Sequence, residues 1–192
     1  MGRLGFYMDV DACIGCRTCQ VACKDRNDLD IGYLFRRVDT YETGFFPDAK
    51  MYHYSHSCNH CETPACVANC PTGAMQKASD GTVQHDDGLC IGCETCVKSC
   101  PYGVPQLIKG DGIVRKCDAC APFREAGKNP VCVDACPMRC LEFGDLDELA
   151  QLHGSDLVQE LPILPSKDET GPSILINPKP CVLEEEYRAQ SV

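Results

Sequence analysis

The stretch Cys90-Ile-Gly-Cys-Glu-Thr-Cys-Val-Lys-Ser-Cys-Pro101 sets four cysteines at steps of three, three and four residues and follows the last with proline. Two-residue spacers let three consecutive sulfurs face one side of a cube-shaped iron–sulfur cluster. The fourth cysteine lies a helical turn further on, and the proline behind it ends that turn, so its sulfur reaches a neighbouring cluster.

The pattern recurs along the chain. Cysteines fall into group one (Cys13, Cys16, Cys19, Cys23), group two (Cys58, Cys61, Cys66, Cys70), group three (Cys90, Cys93, Cys96, Cys100) and group four (Cys117, Cys120, Cys132, Cys136). Groups one and three share Cys-Ile-Gly-Cys-x-Thr-Cys-x-x-x-Cys, and groups two and four share Pro-x-Cys-Val-x-x-Cys-Pro after a Cys-x-x-Cys pair. Eleven residues separate Cys120 from Cys132 where four separate Cys61 from Cys66, an insertion of seven. A duplicated unit is the simplest reading. The four groups supply ligands for four [4Fe–4S] clusters. Zinc is the weaker alternative, because a zinc tetrahedron uses two Cys-x-x-Cys pairs and has no use for a third cysteine at the same step.

Composition agrees. The 192 residues include 18 cysteines, about 9%, a level found in disulfide scaffolds and metal proteins. Tryptophan is absent and aromatics make up 7%, a thin core for this length, so metal binding is expected to help organise the fold. Disulfides do not fit a chain whose first residues show no apolar leader and no twin arginine. No run approaches the roughly 18 apolar residues that cross a bilayer. The expectation is a chain without its own export signal or transmembrane segment. A net charge of −10 argues against nucleic-acid binding.

The linkers indicate which groups pair. Asp80-Gly81 is a hairpin signal between two strand-like runs joining groups two and three, a compact ferredoxin connector. Groups one and four then pair, closed by the runs Leu4–Met8 and Leu141–Phe143. The expected fold is α+β: two intertwined bacterial-type 2[4Fe–4S] ferredoxin-like units with short hairpins and helices, plus an extended C-terminal arm. Their bounds are 1–49 with 112–160, 50–111, and a proline-rich arm over 161–192. The expected ligand sets are Cys13, Cys16, Cys19 and Cys136 (cluster a); Cys23, Cys117, Cys120 and Cys132 (b); Cys58, Cys61, Cys66 and Cys100 (c); and Cys70, Cys90, Cys93 and Cys96 (d).

Other features read more plainly. Cys140 matches Ala74 and Val104 after the other groups and is expected as a small apolar filler beneath a cluster. Cys181 is expected as a surface thiol. Asp145 caps a short helix with Glu148 at its third position and Gly154 as its stop. Leu161–Pro180, with five prolines and the strand-like run Ile174–Ile176, reads as a surface strap or as an arm on a partner. Met51–His56 alternates as a strand, and its histidines read as surface or hydrogen-bonding groups. His60 is a candidate tuner of a neighbouring sulfur. Arg36 and Arg37 read as a solvated pair or a dock for an acidic partner, and Lys24, Lys98, Lys109, Arg115 and Lys116 as local charges that raise cluster potentials. No phosphate loop, dinucleotide fingerprint, haem motif or catalytic constellation is present, so no catalytic residue is expected.

On these groups the chain resembles the four-cluster iron–sulfur subunit of the dimethyl sulfoxide reductase branch of molybdopterin oxidoreductases. The resemblance runs from Gly5 to about Pro180 and includes Ala22-Cys-Lys-Asp25, Ser57-Cys-Asn-His-Cys-Glu62, Cys100-Pro-Tyr-Gly103, Lys116-Cys-Asp118 and Phe143-Gly-x-x-Asp-Glu-Leu149. It implies a subunit of anaerobic respiration that passes electrons between a membrane quinone anchor and a catalytic subunit holding molybdopterin with molybdenum or tungsten. Respiratory nitrate reductase has tryptophan at one ligand position of the third group and a three-iron cluster there. Cys93 stands at that position here, implying four [4Fe–4S] clusters. The resemblance also implies a cytoplasmic location, or a membrane-associated or periplasmic one reached by co-export with a signal-bearing partner. The alternative is a free-standing polyferredoxin shuttle.

Overall fold

The computed structural model describes residues 2–190. Its strands are β1 (Leu4–Asp9), β2 (Arg37–Thr43), β3 (Lys50–His56), β4 (Met75–Lys77), β5 (Val83–His85), β6 (Gln106–Ile108), β7 (Ile113–Arg115), β8 (Leu141–Asp145), β9 (Ile174–Asn177) and β10 (Tyr187–Gln190). Its helices are α1 (Thr18–Arg26), α2 (Ala65–Ala68), α3 (Thr95–Ser99), α4 (Ala121–Glu125), α5 (Val131–Asp134) and α6 (Leu146–His153). It is a mixed α+β fold of short helices and small sheets.

The principal sheet is built on β1, whose Phe6, Tyr7 and Met8 are all buried. A strand covered on both faces reads as a continuous apolar run. β8 lies antiparallel beside it with Phe6 opposite Phe143, and β9 lies parallel on the other edge with Met8 opposite Ile176. The runs around Leu4 and Leu141 therefore do pair. β1 stops at Asp9, whose carboxylate accepts from the Asp11 and Ala12 backbone N–H groups and turns the chain into the first cysteine group. A second sheet, ordered β10-β2-β3, packs its buried Val38, Tyr52 and Tyr54 against the same core. Two hairpins, β4–β5 and β6–β7, flank the third cysteine group, the first turning at Asp80-Gly81 as expected.

The helices pack as two pairs, α1 on α5 and α2 on α3. Each is one to two turns long, too short to be stable in isolation. Their inward faces carry cysteines rather than leucines: Cys19 and Cys23 on α1, Cys66 on α2, Cys96 on α3 and Cys132 on α5. α6 begins as expected, with the Asp145 carboxylate accepting from the Asp147 and Glu148 N–H groups and Gly154 at its end.

Two expectations are corrected. Within the expected 161–192 arm, of which residues 161–190 are described, the chain is not a strap lying on the surface. Ile174 and Ile176 enter the principal sheet, and Leu161 and Val182 join its core. Proline richness signalled an irregular backbone, but the alternation of buried Ile174 and Ile176 outweighed it. Cys181 is buried among these same residues, not a surface thiol. Replacing Ile176, which is fully buried, with alanine is expected to cost about 2–5 kcal/mol. Guanidinium unfolding of the protein would show this as a lowered midpoint, and an unchanged midpoint would remove β9 from the core.

Candidate metal centres

The cysteine loops turn by left-handed backbone. In group one Gly15 (φ 68°) and Arg17 (φ 61°) adopt it, and in group three Gly92 (φ 66°) and Glu94 (φ 57°) do the same. These pairs wrap the loop so that successive sulfurs face inward. Glycine is required at the first of each pair for a further reason. A Cβ on Gly92 would lie 2.3 Å from the Gly112 carbonyl oxygen, and one on Gly15 would lie 2.5 Å from His53 Nδ1. The threonine that the two groups share sits beside a ligand sulfur in both. The Thr18 hydroxyl lies 3.4 Å from Cys16 Sγ, and that of Thr95 lies 3.3 Å from Cys93 Sγ.

Two thiol sets each line a small pocket. Cys70, Cys90, Cys93 and Cys96 line one. Cys13, Cys16, Cys19 and Cys136 line the other, together with Cys140. The other two sets are more enclosed. Burial first, and then the neighbouring Cys117, Cys132 and Cys120, push the Cys23 thiol well above its ordinary range. Burial and then Cys58, with Cys100 and Cys61, push Cys66 up to about 12. Burial likewise raises Cys61 to about 11, with Cys58 and Cys100 adding to it.

The sets also adjoin in sequence. Cys19 of set a shares a buried cluster with Cys132 of set b, Cys23 and Cys117 of set b share another with Cys58 of set c, and Cys66 of set c shares a third with Cys96 of set d. Of all the cysteines, only Cys16 and Cys93 are exposed, and they belong to sets a and d.

The donor set suits iron–sulfur clusters. Backbone N–H groups of Met75, Val114, His60 and Ala119 point at the sulfurs of Cys70, Cys90, Cys58 and Cys117 from 3.4–3.5 Å, and Asn27 Nδ2 points at Cys23 Sγ from 3.6 Å. Such donors tune a cluster-bound sulfur. Zinc would draw its four sulfurs to about 3.8 Å of one another, given Zn–S bonds of about 2.3 Å. Among the described residues no three Cys, His, Asp or Glu side chains converge on a single ion.

The buried charges are a finding that sequence reasoning missed. Arg36 is not part of a solvated pair: it is buried, with its guanidinium over the Phe6 ring at 4.6 Å, while Arg37 alone is exposed. Arg36 lies in the bend just before β2, where no strand alternation signals its burial. Lys116 is also buried and donates to the carbonyls of Val83 and Cys117. His60 is fully buried between groups. Its Nδ1 accepts from Val83 N–H, which leaves Nε2 protonated and 4.0 Å from Cys117 Sγ. Burial, with Lys116 and Arg124 nearby, holds His60 neutral. The other histidines bond to side chains, His53 to Thr40 and His56 to Asp39.

Cys140 is a closer neighbour than an apolar filler. Its Sγ lies 3.4 Å from Cys136 Sγ. Cys140 keeps its proton and hydrogen-bonds Cys13, which lowers the Cys13 pKa. Cys140→Ala is expected to leave the iron content unchanged, whereas Cys136→Ala should lower it, as read by iron and sulfide analysis. Loss of iron in Cys140→Ala would make Cys140 a ligand.

The comparisons with known proteins agree with this chemistry. Residues 49–146 match the family model of the 4Fe–4S dicluster domain, and residues 10–28 match that of a 4Fe–4S binding domain. The sequence is 45% identical over 184 residues to the B chain of anaerobic dimethyl sulfoxide reductase from Escherichia coli (strain K12), covering 92% of this protein and 89% of that one. It is 42% identical over 144 residues to the thiosulfate reductase electron transfer subunit PhsB of Salmonella typhi, covering 73% and 74%. The B subunit of sulfite dehydrogenase from Allochromatium vinosum is 37% identical over 170 residues, covering 77% and 71%. Among the described residues no helix is long and apolar enough to cross a membrane. By its cysteine groups and these matches, this protein belongs to the 4Fe–4S dicluster family, among the iron–sulfur subunits that include the B chain of anaerobic dimethyl sulfoxide reductase.

Proposed function

We propose that the chain relays electrons through four [4Fe–4S] clusters between a membrane quinone anchor and a catalytic subunit holding molybdopterin with molybdenum or tungsten. Sets a, b, c and d, as assigned from the spacing, are the ligands. The observation that carries the reading is that neighbouring sets share buried clusters in series, with the two exposed thiols, Cys16 and Cys93, in the terminal ones. A wire needs neighbours in series and access at both ends.

Each bound cluster supplies a centre that takes up and returns one electron. The chain does the rest. Its thiols hold the clusters, its N–H groups and hydroxyls stabilise the ligand sulfurs, and its apolar side chains keep water from the inner sets. The architecture follows: residues 1–49 with 112–160 form one ferredoxin-like unit, residues 50–111 form the other intertwined with it, and the 161–192 arm packs Leu161, Ile174, Ile176 and Val182 onto the first. The packing of α1 on α5 and of α2 on α3 supports that division. Attachment to a membrane, on either side, is through the partner subunits.

Anaerobic purification from the native source tests the reading. About sixteen irons per chain are expected, together with a co-purifying subunit that carries molybdenum or tungsten. An iron-loaded monomer with no partner would replace the relay by a free shuttle. Cys93→Trp is expected to convert one cluster to a three-iron form visible by EPR in the oxidised protein. Four unchanged [4Fe–4S] signals in that variant would remove Cys93 from set d.

A further inference from the structure

Among the described residues Arg36 and Lys116 are the buried cations that no carboxylate answers, and Arg36 is the more deeply buried. Its side chain is 2% exposed, and among the described residues it forms no ion pair. Its guanidinium donates to the Ser55 carbonyl oxygen at 3.3 Å, to Ser55 Oγ at 3.0 Å and to Ser57 Oγ at 2.8 Å. Neutral oxygens satisfy its hydrogens but not its charge. A buried cation without an anion is costly, and a chain keeps one only where a negative group meets it.

The groups it faces are Cys132 and Cys19, then Cys117 and Cys23. As ligands of iron they are anionic, because a coordinating thiol loses its proton outright. Two of these contacts differ in kind. Arg36 is near enough to Cys132 to favour its thiolate directly. It reaches Cys19 through Ser55: the Ser55 hydroxyl oxygen accepts from Arg36, so its single proton is free to point at Cys19 Sγ, 3.4 Å away. Cys19 belongs to set a and Cys132 to set b.

We propose that Arg36 is the shared counter-charge of clusters a and b, raising both reduction potentials, with Ser55 carrying its influence to cluster a. Arg36 is a positioning residue: it acts through sulfurs and hydroxyls and has no contact with a substrate. A fixed cation favours the more negative, reduced state of each neighbouring cluster, and burial keeps solvent from screening it. The pair a–b is thereby poised above what its buried surroundings alone would set.

The inference rests on the four-cluster reading, and the experiment separates the two. Redox titration of the purified complex, followed by EPR, first counts the midpoints of the wild type. Fewer than four would overturn the reading itself. With four present, Arg36→Gln is expected to lower two of them, each by at least tenfold in the reduced-to-oxidised ratio at fixed poise, which is 59 mV for one electron. Arg36→Lys, which keeps the charge, should return both towards wild type. Ser55→Ala should lower only one of the same two. A purely structural role would shift none, or shift all four together, and either result overturns the proposal, as does a Ser55→Ala shift at a third centre. Should Arg36→Gln fail to load iron, Ser55→Ala still decides: one lowered midpoint supports the relay, and four unchanged midpoints overturn it.

Discussion

A thiol that must ionise in a dry place is the constraint around which this molecule is arranged. Burial raises Cys23, Cys66, Cys117 and Cys132 far above the range in which a free thiol ionises near neutrality. Only bound iron reverses that, so cluster assembly and the final packing of the chain are linked. The short helices illustrate the dependence. They bury cysteines where an ordinary helix of this length would bury leucine, and their sulfurs contribute little cohesion until something joins them.

The remaining apolar core is concentrated on one sheet, and the chain's two ends meet there. β1 near the beginning is held between β8 and β9, so segments more than 130 residues apart in sequence share one ladder. Loop-closure cost rises only slowly with length, and the burial of apolar strands offsets it. The arrangement ties set a, whose Cys13 follows β1 directly, to the C-terminal segment that closes over the same core.

Charge is distributed with a purpose that the net value conceals. The chain is acidic overall, but its deepest charged side chains are Arg36 and Lys116. Both donate only to neutral oxygens, Lys116 to two carbonyls and Arg36 to Ser55 and Ser57, and Arg36 also lies among ligand sulfurs from both halves of the chain. Buried cations beside buried thiolates limit the repulsion that four anionic cages in one small protein would otherwise create. Backbone N–H groups aimed at sulfur act in the same direction without adding charge.

Cysteine spacing by itself determined the cofactor chemistry, because iron–sulfur geometry imposes fixed short steps along a chain. Local turn chemistry likewise determined the Asp80-Gly81 hairpin and the Asp145 cap, whose hydrogen bonds close within a few residues. Cys181, Arg36 and the C-terminal segment were decided only in three dimensions. Their roles depend on distant residues: Cys181 on the core beneath β9, Arg36 on Ser55, Ser57 and sulfurs from both ends of the chain, and Ile174–Asn177 on an open edge of β1. Ligand spacing is a short-range property of the backbone, whereas burial and charge balance exist only after the chain has closed on itself.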